Sequence, residues 1–539
     1  MNNNIILAYA ILRYLQFKGT TDFVIAPGSR SSPFVFALQL LKNVNIHTHF
    51  DERALPFIAL GITKASNNKV TVITTSGSAV GNLLPGIMEA YHSDIPLTII
   101  TADRPYEMHN IGCNQTCNQE NIFSSYALFQ QIRTLDSNFT LEKCISLINQ
   151  FYVKAIQQNT PIHFNVEIRE PLYDNQNLDS YHLNKINNLL ENQISLSTHK
   201  ITACKDCLDY ICNLLRDPST LLLVGDLSLQ QTKTIQKIIN QTNVRYLADI
   251  QSGLRTKENY SCMHNRSQSI DDLKEFLNSF ANIIIINGRF ISTKLLEALK
   301  EYKNNLTFIS ENDKNYNCLS LISRRFQISF DEIYSNLHQN PSLQLNTNSN
   351  SKTLLFKELD NDNNLNEISA VRYLNLAPEK NLFIGNSLVC RIADTVLFNT
   401  NHNIFTNRGV SGIDGLIATS CGIALQNSTI SVIGDTTALY DLSSIALMKD
   451  KPLKLVIFNN NGGNIFYKFD IQQDNVLSKY FVNDNNVNFS HISKMFNIKY
   501  YNPKTLNEYV EIIKTKITEP IIVEVNFPQA EGINLLSKI

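Results

Sequence analysis

The stretch Ser431-Val432-Ile433-Gly434-Asp435-Thr436-Thr437-Ala438-Leu439 reads as an apolar strand that delivers Gly-Asp to its carboxyl end, with a helix beginning at the Thr pair. The same arrangement recurs downstream, where the strand-like Leu455–Phe458 run ends in Asn459-Asn460-Asn461-Gly462-Gly463-Asn464-Ile465-Phe466. Strand ends of this kind are where an open α/β sheet binds ligands. Asp435, the amide oxygen of Asn460 and the main-chain carbonyl of Gly462 are hard oxygen donors that suit octahedral Mg²⁺. Helix-start N–H groups favour a diphosphate held by the same ion. Singly, a capping Asp and an Asn/Gly turn are common. Their ordered pairing, each after a strand, points to a metal site.

The block around this pair carries further strand signals at Leu382–Gly385, Ile404–Thr406 and Pro520–Val525. Two earlier blocks share the alternation. The first has β-rich runs at Asp22–Ala26, Val70–Thr74 and Leu97–Thr101, helical stretches such as Ala54–Lys64 and Val80–Tyr91, and a closing strand at His163–Ile168. The second has Leu221–Gly225, Val244–Asp249, Ile283–Asn287 and Leu306–Ser310, and ends near Ser335. Strands alternating with helices build parallel sheets from βαβ units. The reading is therefore α/β, with three domains each holding a mainly parallel sheet flanked by helices: 1–180, 181–345 and 346–539. The boundaries fall in polar, Asn-rich sequence from Asp174 to about Lys200 and from His338 to Asp362.

A chain of 539 residues exceeds what one hydrophobic core usually serves. With 43% hydrophobic and 18% charged residues it is globular in composition. A formal net charge of −1, with Lys and Arg scattered, gives no reason to expect nucleic acid or an anionic membrane as partner. No apolar run is long enough to span a bilayer. Met1-Asn2-Asn3-Asn4 lacks a basic n-region and Arg13 interrupts the apolar stretch behind it, so neither membrane insertion nor a signal peptide is expected, and the cytoplasm is. Ten cysteines in such a chain read as free thiols. Cys204-x-x-Cys207 has no second pair at ligand spacing, and Cys204, Cys207, Ile211 and Leu214 would share one helix face and pack in a core.

In the first block, Thr48-His49-Phe50-Asp51-Glu52-Arg53-Ala54 follows a strand-like run. Acidic residues at a helix amino terminus are favoured by the macrodipole, which alone would account for the pair. The surrounding loops argue for more. Ala26-Pro27-Gly28-Ser29-Arg30-Ser31-Ser32-Pro33, Thr75-Ser76-Gly77-Ser78-Ala79-Val80-Gly81-Asn82 and Thr101-Ala102-Asp103-Arg104-Pro105 each follow a strand, and so bring Gly, Ser and Arg to one edge of a sheet. Arg30 and Arg104, with Asn114 and Gln115, suit carboxylates, which guanidinium forks match at two points.

Taken together, Pro27-Gly28-Ser29-Arg30-Ser31, His49-Phe50-Asp51-Glu52-Arg53, Thr101-Ala102-Asp103-Arg104-Pro105, Asn114-Gln115, Gly385-Asn386-Ser387-Leu388-Val389, Asn407-Arg408-Gly409, Ser411-Gly412-Ile413-Asp414-Gly415 and Asn459 to Phe466 resemble the MenD family, the 2-succinyl-5-enolpyruvyl-6-hydroxy-3-cyclohexene-1-carboxylate synthases of menaquinone biosynthesis. The Gly-Asp and Asn-Asn pair marks a thiamine enzyme; the Pro-Gly-Ser-Arg-Ser and Ser-Gly-Ile-Asp-Gly segments narrow it to this family. The resemblance runs along essentially the whole chain and is weakest in the central block. Cys390, before Arg391, departs from the commoner aliphatic residue and reads as a small apolar stand-in.

The resemblance implies the thiamine diphosphate-binding fold, with pyrimidine-binding, central and diphosphate-binding domains, and a cofactor lying between the first domain of one subunit and the third of another. It implies a homodimer or homotetramer, thiamine diphosphate, and Mg²⁺ with Mn²⁺ as an alternative. The implied reaction is decarboxylation of 2-oxoglutarate and Stetter-like 1,4-addition of the succinyl semialdehyde carbanion to isochorismate. Glu52 is implied as activator of the aminopyrimidine, and Ile413 as the wedge that bends the cofactor. Cofactor contacts fall to Ser387, Gly434, Asp435, Thr436, Thr437, Asn460, Gly462, Ile465 and Phe466; metal ligation falls to Asp435, Asn460 and Gly462. Substrate binding and catalysis fall to Ser29, Arg30, Arg104, Asn114, Gln115, Lys294, Ser387, Arg391, Arg408 and Phe466, with Lys294 the placement in the divergent central block. Another thiamine enzyme, an acetolactate synthase or a 2-oxo-acid decarboxylase, would keep the fold and need fewer pocket arginines. A ligand sensor that had lost the chemistry would have no reason to keep Glu52, Asp435 and Asn460 together.

Overall fold

Period-two alternation of apolar side chains settles the first sheet. Phe23 and Ile25 enter one core and Val24 and Ala26 the other, so the sheet is covered on both faces. The computed structural model describes residues 2–173, 180–191, 204–255, 269–302, 304–312, 324–339, 364–398, 400–469, 471 and 474–537. The first sheet contains β1 (Thr20–Ile25), β2 (Asn45–Thr48), β3 (Lys69–Thr74), β4 (Thr98–Asp103), β5 (Leu128–Ile132) and β6 (Ile162–Glu167), in the order β2-β1-β3-β4-β6-β5. The second contains β7 (Thr220–Val224), β8 (Arg245–Ala248), β9 (Asn282–Ile286), β10 (Asn305–Ser310) and β11 (Arg324–Gln327), in the order β11-β10-β9-β7-β8. The third contains β12 (Asn381–Ile384), β13 (Asn403–Phe405), β14 (Thr429–Gly434), β15 (Leu453–Asn459), β16 (Lys499–Tyr501) and β17 (Ile521–Asn526), in the order β13-β12-β14-β15-β17-β16.

All the described strand pairs are parallel, and the first and third sheets repeat one strand order. The α/β class with three parallel, helix-flanked sheets is as the alternation predicts. The repeat pairs loops by rank: Pro27–Ser31 after β1 corresponds to Gly385–Arg391 after β12, and the Ser76-Gly77 turn after β3 to Gly434-Asp435 after β14.

By compactness the chain divides into two units. The first comprises Met1–Lys200, Asn407–Gln426 and Tyr440–Met448; the second comprises Ile201–Thr406, Asn427–Leu439 and Lys449–Ile539. In the first unit, helix Ser180–Glu191 buries Ile186 and Leu190 in the core that covers one face of the first sheet. Helix Leu55–Ser66 crosses helix Leu416–Ala424 so closely that a Cβ on Gly61 would lie 2.1 Å from the Thr419 carbonyl oxygen. In the second unit, the buried Arg255 guanidinium donates to the carboxylate and the main-chain carbonyl of Asp394, and so fastens the loop after β8 to helix Leu388–Val396. Burial and, next, the Asp394 carboxylate push Asp249 above the usual carboxylate range.

The proposed 345/346 boundary lies outside the described residues, as does most of the polar sequence on either side of it. The helix expected from Ala54 starts instead as a 3₁₀ turn, Glu52–Ala54, that runs into Leu55–Ser66. The helix expected at the Thr pair begins one residue earlier, at Asp435. Cys204 does not enter the core. It is exposed and caps helix Lys205–Arg216, its Sγ accepting the Cys207 N–H at 3.3 Å, while Ile211, Cys212 and Leu215 carry the buried face.

Candidate functional site

In the second unit, β14 and β15 run side by side with Gly434 opposite Phe458, so Asp435 and Asn460 leave neighbouring strand ends. Gly462 donates its main-chain N–H to Asp435 Oδ2 at 2.7 Å. Asp435 Oδ1 takes the Thr436 N–H at 2.6 Å, and Asn485 Nδ2 approaches Oδ2 at 3.3 Å. The Thr436 N–H, expected to be open to a diphosphate, is thus committed to the Asp435 carboxylate. Gly462 has φ +118°, and a Cβ there would meet the Val482 carbonyl oxygen at 2.5 Å, so only glycine fits this turn.

The expected donor oxygens converge. The buried Asn464 amide nitrogen lies 2.8 Å from Asn460 Oδ1, 2.6 Å from Asn460 O and 3.2 Å from Gly462 O. The Asn464 amide fixes these oxygens in place, and with a second lone pair on each beside the buried Asp435 carboxylate they are donors of the hard-oxygen kind that a dication takes. Asn460 Nδ2 donates to Glu367 Oε1 at 2.8 Å, which leaves its oxygen for the inner side. Glu367 is buried at the start of helix Glu367–Tyr373, and that burial pushes its carboxyl up to about 7. Burial likewise raises Asp435 above the usual carboxylate range. A Cβ on Gly434 would meet no atom within 4 Å, so the main chain there is open to a bound group.

Around this centre Thr437 is buried and Thr436 half-buried. Ile465 packs on the third sheet's core, and the Phe466 ring lies 5.9 Å from Phe469 and 5.7 Å from Phe481. Ser387 precedes helix Leu388–Val396 with φ +68°, and its carbonyl accepts from Arg391 Nη1 at 2.7 Å. Cys390 is buried, as expected of an apolar stand-in, and its Sγ lies 3.2 Å from the Ser387 carbonyl. Burial and, next, Arg391 hold the Lys468 ammonium below its usual value, so a second cation shares this region. Lys294 stands exposed in the first turn of helix Thr293–Lys300 and makes no hydrogen bond or ion pair among the described residues.

In the first unit, Asp51 is the structural member of its triplet. Its carboxylate takes Arg53 Nε at 2.9 Å and Nη2 at 2.6 Å, together with Ser443 Oγ at 2.6 Å. Glu52, half-buried beside it, makes no side-chain hydrogen bond or ion pair among the described residues. Arg30 is 5% exposed; Nη1 donates to the Ile168 carbonyl at 3.0 Å and Nη2 to Glu170 at 3.2 Å, while the buried Nε–H has no acceptor among the described residues. An unsatisfied guanidinium N–H at a strand end fits an anion. Buried Arg104 donates Nη1 to Ser76 Oγ at 2.6 Å and to the Gln115 carbonyl at 2.5 Å; burial and, next, Arg30 lower its pKa. Gln115 returns its side-chain amide to the Ser76 carbonyl at 3.0 Å, and Asn114 and Ser29 are exposed. Arg408 and Ile413 are half-buried in the segment that runs into helix Leu416–Ala424. Sequence reasoning missed Glu367, Asn464 and Lys468, whose roles arise from tertiary partners.

Residues 6–122 match the family of the thiamine pyrophosphate enzyme N-terminal TPP binding domain, and residues 385–525 match that of the C-terminal TPP binding domain. Over most of its length the chain is similar to proteins named 2-succinyl-5-enolpyruvyl-6-hydroxy-3-cyclohexene-1-carboxylate synthase. The one from Psychromonas ingrahamii is 34% identical, over 94% of this chain and 90% of its own. That from Histophilus somni is 34% identical over 97% and 95%, and that from Aliivibrio fischeri 30% identical over 99% and 97%.

Proposed function

The chain belongs to the 2-succinyl-5-enolpyruvyl-6-hydroxy-3-cyclohexene-1-carboxylate synthases, a family of thiamine pyrophosphate enzymes, and from that premise we propose that it decarboxylates 2-oxoglutarate and adds the resulting four-carbon unit to isochorismate by 1,4-addition, in menaquinone biosynthesis. The observation that carries the reading is the gathering of Asn460 Oδ1 and Gly462 O about one nitrogen, with Gly462 N–H on Asp435. Thiamine diphosphate, when bound, supplies the electron sink for cleavage and formation of the carbon–carbon bonds.

Asp435, Asn460 and the Gly462 carbonyl would hold Mg²⁺, with Mn²⁺ as the alternative, and the metal would bind the cofactor's diphosphate, to which Thr436 and Thr437 would add polar contacts. Glu52 holds a proton toward the pyrimidine ring, and Ile413, Ile465 and Phe466 shape the apolar wall. Arg30, Arg104, Arg391 and Arg408 bind substrate carboxylates, with Ser29, Asn114, Gln115, Lys294 and Ser387 as further polar contacts. The buried Nε–H of Arg30, which has no acceptor among the described residues, supports that role. Three domains, 1–180, 181–345 and 346–539, a homodimeric or homotetrameric assembly and a cytoplasmic setting belong to the same proposal. No helix among the described residues is long and apolar enough to cross a membrane. The test is incubation with thiamine diphosphate, Mg²⁺ and 2-oxoglutarate, with and without isochorismate, and mass spectrometry of the products. Turnover of pyruvate in preference to 2-oxoglutarate would replace this reading by another thiamine enzyme.

A further inference from the structure

Glu89 is a buried carboxylate that the chemistry above does not use. It lies in helix Leu84–His92, is 1% exposed, and accepts the main-chain N–H groups of Gly409 at 2.9 Å and Val410 at 2.8 Å, one on each oxygen. Oε1 also takes Ser93 Oγ at 2.9 Å and faces Lys64 Nζ at 3.8 Å. Lys64 donates to Asn407 Oδ1 at 2.8 Å, and Asn407 Nδ2 donates to Thr419 Oγ1 at 2.8 Å. Asn407, Gly409 and Val410 bracket Arg408. A Cβ on Gly409 would fall 2.8 Å from the Glu89 carbonyl oxygen and 2.9 Å from Ser93 Oγ, so the Arg408 segment lies directly against the helix.

Hydrogen bonds to an ionised, buried acceptor are roughly twice as strong as neutral ones. Two of them on consecutive amides fix the main chain immediately after Arg408, and the lysine that offsets the buried charge fixes the residue before it. With the backbone held on both sides, the main chain of the Arg408 segment does not have to be ordered when an anion binds, and that lowers the entropic cost of binding.

We propose that Glu89, supported by Lys64, is a positioning residue that clamps the Arg408 segment and so presents the guanidinium to a substrate carboxylate. The proposal rests on the reading of Arg408 as a substrate arginine. Replacing a carboxylate that served stability alone would lower the melting temperature and touch both substrates and the cofactor alike.

Glu89→Gln, Arg408→Ala and the double variant, as full-length holoenzymes, are compared for kcat and KM with 2-oxoglutarate and with isochorismate, and for thiamine diphosphate affinity by fluorescence titration. The expected result is that Glu89→Gln raises KM on the order of 10- to 100-fold for the substrate whose KM Arg408→Ala also raises, as displacements of about 1 Å do. Cofactor affinity should stay unchanged, and Glu89→Gln should add no further loss in the Arg408→Ala background. Lys64→Met should shift the same KM by a smaller factor, and it carries the test if Glu89→Gln does not fold. Additive losses, or equal losses for both substrates and the cofactor, overturn the clamp. Arg408→Ala with wild-type KM for both substrates overturns the substrate reading of Arg408 itself, and the clamp with it.

Discussion

The Gly462 amide nitrogen lies 2.7 Å from Asp435 Oδ2, so the turn after β15 is fastened to the carboxylate that ends β14. One hydrogen bond thereby makes the anionic donor and the carbonyl donor of the proposed metal site a single rigid piece. Asn464 performs the same service from the other side, its amide bridging the Asn460 and Gly462 oxygens and its Oδ1 accepting the Ala530 N–H at 2.7 Å.

From this arrangement Asp435→Ala should abolish Mg²⁺-dependent retention of thiamine diphosphate. It removes the anionic ligand and releases the Gly462 turn at once. Asp435→Asn should keep more of the turn while still losing most of the affinity, because the charge is gone. Isothermal titration is the measurement; unchanged cofactor affinity in either variant would move the metal elsewhere.

Glu52→Gln should leave the fold intact and lower turnover by roughly 10²–10⁴-fold, the usual range for a positioned acid–base group. The division of labour in the triplet motivates this. Asp51 is spent on Arg53 and Ser443, while the Glu52 carboxyl makes no side-chain hydrogen bond or ion pair among the described residues. Wild-type turnover in the variant would remove Glu52 from the mechanism.

The Arg53 hydrogen bonds, joined by that of Ser443, hold Asp51 down to about 2. A carboxylate lowered in the folded state contributes stability that is present above its unfolded value, about 3.9, and is lost as pH falls through the folded value. Asp51→Asn should therefore unfold at lower urea than the wild type near neutral pH, and the gap should close as pH falls from about 4 toward 2. A gap independent of pH would assign the effect to something other than this ionisation.

What could be read from the sequence follows from burial. β14, β15 and β9 are buried at nearly every position because both faces of their sheets are covered, and their apolar stretches, such as Leu455–Phe458 and Ile283–Ile286, made them legible. β5, β11 and β16 were not read as strands. All three are sheet edges with exposed or half-buried residues, where the apolar signal is diluted. That Asp435, Asn460 and Gly462 lie together could be read from the sequence, because they sit at two adjacent strand ends. Glu367, which holds the Asn460 amide from 93 positions away, leaves no such trace, and neither does Glu89, whose partners at 409 and 410 are supplied by the fold.

Arg391 exposes the substrate assignment most directly. It lies one turn into helix Leu388–Val396, reaches back to the Ser387 carbonyl at 2.7 Å, and has Lys468 nearby as a second cation. A guanidinium held by one carbonyl keeps further N–H donors for an anion, and charge-assisted bonds in a partly desolvated site are the strong kind. Arg391→Ala should therefore cost on the order of 2–5 kcal/mol in transition-state binding, read as kcat/KM for 2-oxoglutarate or isochorismate. Arg391→Lys should recover only part of the loss, because an ammonium cannot make the planar two-point contact. Thiamine diphosphate affinity should stay nearly constant in both variants. If cofactor and substrate binding fall together, Arg391 is supporting the Ser387 turn rather than the substrate, and the carboxylate site must be sought among Arg30, Arg104 and Arg408.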